Sequence, residues 1–228
     1  MANPTAKGRF LEIYRRLYDS YGPQHWWPGE TRLEIILGAI LTQATSWTNV
    51  EKALVNLKSG GLLSTEALRD IPETDLAAVI RPSGYFNAKA RKVKAFMDHL
   101  WDRYGGDLDS LLSQETSVLR GDLLAIHGIG DETADDILLY AAEKPSFVID
   151  GYTRRVLKRL RLAPESESYV AYQRLFHEAL PHDPSLYNEY HALLDRHAKE
   201  MCKKDPICDG CCLLELCHTG QGRVDTHE

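Results

Sequence analysis

LLAIHGIGDETADDILLYAAEKPSFVIDGYTRRVLKR, Leu123 to Arg159, reads as a helix end, a tight glycine turn, a second helix, a loop, one aspartate and a basic helix. Leu123 to Ile126 close a short apolar helix. Gly128-Ile129-Gly130 imposes a turn, because glycine takes positive φ cheaply and admits another backbone nearby. Ala134, Ile137, Leu138 and Ala141 then recur at i, i+3, i+4 and i+7, the spacing of an amphipathic helix. The turn therefore sits at a helix N-terminus, where free N–H groups and the positive dipole end suit an anion, phosphate above all. The alternative on these residues alone is a plain helix-turn-helix corner. Further on, the apolar run Phe147-Val148-Ile149 delivers Asp150 to the start of a helix whose stripe is Val156, Leu157 and Leu160. Aspartate is a favoured N-cap, and capping alone would account for it.

Taken together, L-x-x-I-x-G-I-G-x-x-T-A-D followed by V-I-D-G-Y resembles the helix-hairpin-helix, Gly/Pro-rich loop and catalytic aspartate signature of the endonuclease III superfamily of DNA glycosylases. The likeness runs from about Leu33 to Cys217 and implies that Asp150 is the catalytic carboxylate. It also implies that Gly128, Ile129 and Gly130 clasp a DNA phosphate, with a monovalent cation on the hairpin carbonyls easing the approach.

Composition bounds this reading. A chain of 228 residues can bury a proper core, in one large or two small domains. Its longest apolar run falls far short of the ~20 residues that cross a bilayer, so no membrane partner is expected. The N-terminal stretch is broken by charge, unlike a secretory signal, and the expected location is cytoplasmic and nucleoid-associated. A net charge of −6 argues mildly against nucleic acid, but the distribution is uneven. Lys89, Arg91, Lys92 and Lys94 form one basic cluster; Arg154, Arg155, Lys158, Arg159 and Arg161 form another. Either is equally readable as a solvated helix face.

In chain order, Phe10 to Tyr18 is amphipathic and ends at Tyr21-Gly22-Pro23. The loop Gln24-His25-Trp26-Trp27-Pro28-Gly29 follows, and paired tryptophans there either plug a gap or wall a pocket for a flat ligand. From Thr31, an expected N-cap, Leu33, Ile36, Leu37, Ile40 and Leu41 share one face of a central helix. That helix runs into Thr42-Gln43-Ala44-Thr45-Ser46-Trp47. The resemblance implies that Gln43 reaches into the DNA stack where a base has been removed. Short helices with polar breaks continue to residue 142, and strand-like alternation is nearly absent. Within them, Gly84-Tyr85-Phe86-Asn87-Ala88-Lys89-Ala90 resembles the family loop in which a bulky residue wedges the duplex and a lysine touches phosphate, implying those roles for Tyr85 and Lys89. Phe86 reads equally as a loop aromatic covering its own core.

All five cysteines fall between Cys202 and Cys217. Cys202, Cys208, Cys211 and Cys217 give C-x5-C-x2-C-x5-C, which suits an iron–sulfur cluster or a tetrahedral zinc better than disulfides in a cytoplasmic chain. The spacing resembles the [4Fe–4S] loop of endonuclease III, shortened by one residue in its first gap. Cys212 is spare and could compete with Cys211. The role implied for the cluster is structural, pinning Lys199, Lys203 and Lys204 against DNA.

One position departs from the family. Bifunctional members carry a Schiff-base lysine two residues after the hairpin's last glycine, and here that residue is Glu132, which cannot form one. The expectation is a monofunctional glycosylase that uses water. Asp131, Glu132, Asp135 and Asp136 are awkward beside phosphate, so most should turn away from it. Trp26, Trp27 and Trp47 resemble the aromatic base pocket of the 3-methyladenine DNA glycosylase III branch. The physics agrees, since alkylated purines are cationic and a π-face attracts a cation by about 0.5–2 kcal/mol. Packing of these tryptophans into the core is the competing reading. A bifunctional enzyme acting on oxidised pyrimidines with a lysine recruited from elsewhere, such as Lys89 or Lys144, and a non-catalytic helix-hairpin-helix DNA-binding protein remain the other two classes.

The expected fold is all-α in two helical lobes. Residues 24–144 make a six-helix barrel lobe ending in the hairpin; residues 1–23 with 145–228 make a discontinuous lobe carrying Asp150 and the cysteines. A cleft between them should hold Asp150 and the tryptophans, and the expected working form is a monomer on double-stranded DNA containing a damaged base.

Overall fold

The computed structural model describes residues 6–26 and 29–224. Every regular element among them is helical. The first half of the chain forms α1 (Ala6–Tyr21), α2 (Arg32–Leu41), α3 (Trp47–Ser59), α4 (Thr65–Asp70), α5 (Glu73–Val79) and α6 (Phe86–Tyr104). The second half forms α7 (Leu108–Leu112), α8 (Thr116–Leu124), α9 (Asp131–Asp136), α10 (Gly151–Arg159), α11 (Tyr169–Ala179), α12 (Pro184–Glu200) and α13 (His218–Val224). The described residues up to Trp26 and those from Pro145 onward make one compact unit, and those from Gly29 to Lys144 make another.

In the middle unit α2 is the core helix. Thr31 caps it through a reciprocal pair: the Glu34 amide donates to Thr31 Oγ1 at 3.2 Å, and the Thr31 amide donates to Glu34 Oε2 at 3.1 Å. Leu33, Ile36, Leu37, Ile40 and Leu41 are buried as the period requires, and Ile35 and Ala39 on the other faces are buried as well. A helix apolar all round belongs inside a core.

The stretch after the hairpin departs from a single regular helix. α9 stops at Asp136, and Ile137–Ala141 widens into a π turn in which the Ala142 amide donates to Ile137 O at 3.0 Å. Ile137, Leu138, Leu139, Tyr140 and Ala141 are all buried in this turn. This wide turn packs on α2.

The terminal unit is built on aromatic packing. Phe147 stacks on Phe176 with centroids 3.7 Å apart, and Tyr190 meets both edge-on while donating its hydroxyl to Phe10 O at 2.9 Å. Phe147-Val148-Ile149 is therefore a buried strut from the core to the first turn of α10. Gln24 and Trp26 belong to this unit. The Gln24 amide donates to Glu189 on α12 at 2.7 Å, and Trp26 stacks on the same helix.

Candidate functional site

The hairpin is assembled from α8, a turn and α9. Gly128 has φ +84°, whereas Gly130, at φ −99°, is the extended N-cap of α9. Only the first glycine is thus demanded by backbone conformation. Ile129 is buried beneath the turn. Gln43, just past the end of α2, ties itself to this corner. Its Nε2 donates to Gly128 O at 3.2 Å and to Thr133 Oγ1 at 2.9 Å, and its Oε1 accepts from the Lys92 ammonium on α6. One hairpin carbonyl therefore already has a donor, and the side chain expected to probe DNA rests against the turn. Sequence reading counts Lys92 only as a member of a basic cluster, because nothing local links it to Gln43.

The acids of α9 are answered by Arg120 on α8. Its guanidinium reaches both oxygens of Asp135, each at 3.0 Å, and Asp131 Oδ1 at 2.7 Å. Asp135 is fully buried in that pair, while Glu132 stays on the surface. Two of the four carboxylates are thereby neutralised within the fold.

The second feature of the middle unit is the loop before α6. Tyr85 lies in the left-handed region at φ +45° and is 73% exposed. A bulky residue held there is strained, and strain of this kind persists where surrounding structure enforces it. Lys89 is placed differently from what its loop position implies. It is 2% exposed, and its ammonium donates to Ser83 O at 2.5 Å. Burial, assisted by Lys92, pushes its pKa down to about 8. Buried in this way, the amine braces the loop from inside rather than facing a phosphate. Phe86 is half-buried beside Arg81. Trp47 opens α3 in the same unit, and Trp27 lies outside the described residues.

In the terminal unit, Asp150 caps α10, with Oδ1 accepting the Thr153 amide at 2.7 Å. Its side chain keeps 16% exposure, and Oδ2 lies 3.8 Å from His191 Nε2 on α12. The His191 ring stacks on Trp26, centroids 5.5 Å apart and planes within 23°. Carboxylate, imidazole and indole thus stand in one row. His25 helps to set it, because its left-handed φ of +48° turns the chain just before Trp26. Trp26 also walls an open groove along α12, whose acids Asp195 and Glu200 pair with Lys199 and Arg196. A partly exposed carboxylate beside a flat aromatic can stabilise a cationic sugar while a base rests on the π-face.

The cysteine loop lies in this unit too. Cys202, Cys208, Cys211 and Cys217 line one mainly apolar recess of about 400 Å³, its open mouth included, whereas Cys212 is not on that wall and hydrogen-bonds to Cys211 and Ser20. Arg159 donates to Cys202 Sγ at 3.2 Å and favours the thiolate there, whereas burial raises the Cys217 thiol even though the Gly220 amide donates to its Sγ at 3.3 Å. Among the described residues no three His, Cys, Asp or Glu side chains close around a point that would hold a single metal ion. Two of the α10 arginines serve this loop. Arg155 donates to Ala198 O and Cys202 O, and Arg159 donates to the Cys202, Lys203 and Lys204 carbonyls. Lys199 pairs with Asp195, while Lys203 and Lys204 are exposed.

The family model described as HhH-GPD superfamily base excision DNA repair protein matches residues 37–182. A Methanocaldococcus jannaschii protein named as a candidate DNA repair glycosylase is 44% identical over 90% of this chain and 94% of its own. Endonuclease III of Sulfolobus acidocaldarius is 31% identical over 83% of each chain. Among solved structures, the H. pylori 3-methyladenine DNA glycosylase bound to 1,N6-ethenoadenine superposes with a TM-score of 0.74 at 28% identity, covering 84% of this chain and 97% of that one. With its glycine hairpin, its capped aspartate and these matches, the chain belongs to the HhH-GPD superfamily of base excision DNA repair proteins.

Proposed function

We propose that the protein is a monofunctional DNA glycosylase that turns an alkylated base out of double-stranded DNA and hydrolyses its N-glycosidic bond. The observation that carries this reading is the row Asp150–His191–Trp26, in which a partly exposed carboxylate stands next to a stacked aromatic pair. Cleavage passes through an oxocarbenium-like sugar. Asp150 is the catalytic carboxylate: it stabilises that cation and orients the attacking water through Oδ2, while Oδ1 stays on the helix cap. An alkylated purine leaves without a general acid because it already carries positive charge, which one carboxylate and an indole face are suited to handle. Trp26 offers the base its indole face in this reading, and the family resemblance assigns Trp27 and Trp47 to the same task.

The base must leave the stack before its C1′ can be reached. Tyr85, exposed on a strained loop, is the wedge, with Lys89 stiffening the loop beneath it. Gln43 lies at the hairpin, where Gly128, Ile129 and Gly130 take the phosphate, assisted by a monovalent cation on the turn carbonyls. Cys202, Cys208, Cys211 and Cys217 would hold a [4Fe–4S] cluster, which supplies a covalent brace for the loop and no chemistry at the sugar.

Base release from duplexes carrying 3-methyladenine, 1,N6-ethenoadenine or thymine glycol tests the assignment. Excision of the alkylated purines, abolished by Asp150→Asn with DNA binding intact, is the expected result. Robust release of thymine glycol alone would overturn the alkylated-base reading. Glu132 at the lysine position predicts no Schiff base, so a borohydride-trapped adduct would contradict monofunctional chemistry.

A further inference from the structure

His191 is the one member of the row with no assigned task. It is 4% exposed, packed with its face on Trp26 and with Phe147 at 88° to its ring. At the ring's edge Nε2 lies 3.8 Å from Asp150 Oδ2. The charged groups around it are Asp150 at the start of α10 and, on its own helix, Asp195 and Lys199, which are paired at 2.7 Å. We propose that His191 is a positioning residue whose neutral imidazole orients the free oxygen of Asp150 and holds the plane of Trp26 beside it. This rests on the glycosylase reading above.

Burial drives the imidazole below its ordinary pKa against the opposing pull of Asp150 and Asp195, so near neutrality it is uncharged. An uncharged ring leaves the Asp150 anion facing the sugar. An imidazolium 3.8 Å away would pair with that anion and draw its charge off the reacting centre. The rate of base release should therefore fall on the acid side as His191 takes up a proton.

The test uses the full chain, a duplex carrying 1,N6-ethenoadenine and single-turnover rates between about pH 5 and 8, the range over which histidine titrates. His191→Gln keeps polarity and cannot charge; His191→Phe keeps the stack and has no ring nitrogen. Both should bind the duplex within about twofold of wild type and release base about 10- to 100-fold more slowly at neutral pH, the scale of a misplaced catalytic group. Both should also lose the wild-type acid limb, which moves to lower pH. Rates and pH profiles unchanged from wild type would overturn the proposal. So would losses of rate that merely track losses of helical content and melting temperature in both variants, because a structural histidine behaves that way. If wild type releases no base from any alkylated duplex and Asp150→Asn equals it, the glycosylase reading fails instead, whatever the His191 variants do.

Discussion

Gly128→Ala perturbs the hairpin in two separable ways. The backbone there has φ +84°, where adding a Cβ costs about 1–2 kcal/mol. That Cβ would also collide with Cγ of Lys92 and lie 2.8 Å from its Cδ and Cε. A lysine stem is flexible, but this ammonium is held by Gln43, which in turn holds Gly128 O and Thr133 Oγ1. Swinging the lysine aside forfeits a charge-assisted hydrogen bond worth about 1.5–3 kcal/mol, with the lower half of that range applying at a part-exposed site. The two terms sum to about 3 kcal/mol, a fall in melting midpoint of roughly 6–12 °C for a chain of this size. Gly130→Ala is the control: its φ is −99°, nothing lies within 4 Å of an added Cβ, and its loss of cap propensity is under about 1 kcal/mol. Circular dichroism melts, with anisotropy titrations of an undamaged duplex, would separate the two substitutions. In a Lys92→Ala background only the backbone cost of Gly128→Ala should survive. If Gly128→Ala melts alongside Gly130→Ala, the account of the corner is wrong.

Three further outcomes follow from the same geometry. Arg120→Met should destabilise the protein by about 3–5 kcal/mol because it strands the buried Asp135 charge, and adding Asp135→Asn should recover part of that loss in denaturant titrations. Lys89 titrates at about 8, below its unfolded value of about 10.4, so its charge opposes folding in full below pH 8 and progressively less as pH rises between those values. The stability difference between Lys89→Met and wild type, measured by urea melts, should therefore shift in favour of wild type from about pH 7 to about pH 9.5. Cys211→Ser should lose iron and its broad visible absorbance while Cys212→Ser keeps both, since only Cys211 lines the recess; equal iron in the two variants would refute that distinction.

Much of the site was readable along the chain because its signals are local. A glycine pair between apolar helices, an aspartate after Phe147-Val148-Ile149 and the N-cap Thr31 each act within four residues, and the structure places each at the expected helix end. The all-helical class follows from the same 3.6-residue periodicity. Spacing likewise singled out four of five cysteines, and those four line one recess.

What the chain does with its charges was decided in three dimensions. Lys89 and Arg159 look alike in sequence as members of basic clusters, yet one is sealed under a loop and the other grips carbonyls more than forty residues away. Gln43 meets Gly128 across 85 residues, and Asp150 meets His191 across 41 positions. No periodicity records such pairings, because they depend on which helices the apolar core brings side by side. Local propensity therefore determined where the helices begin, where they turn and which residue caps them. Only packing determined which polar groups are consumed inside the fold and which remain to meet DNA, since a buried charge must find its partner wherever the core happens to put one.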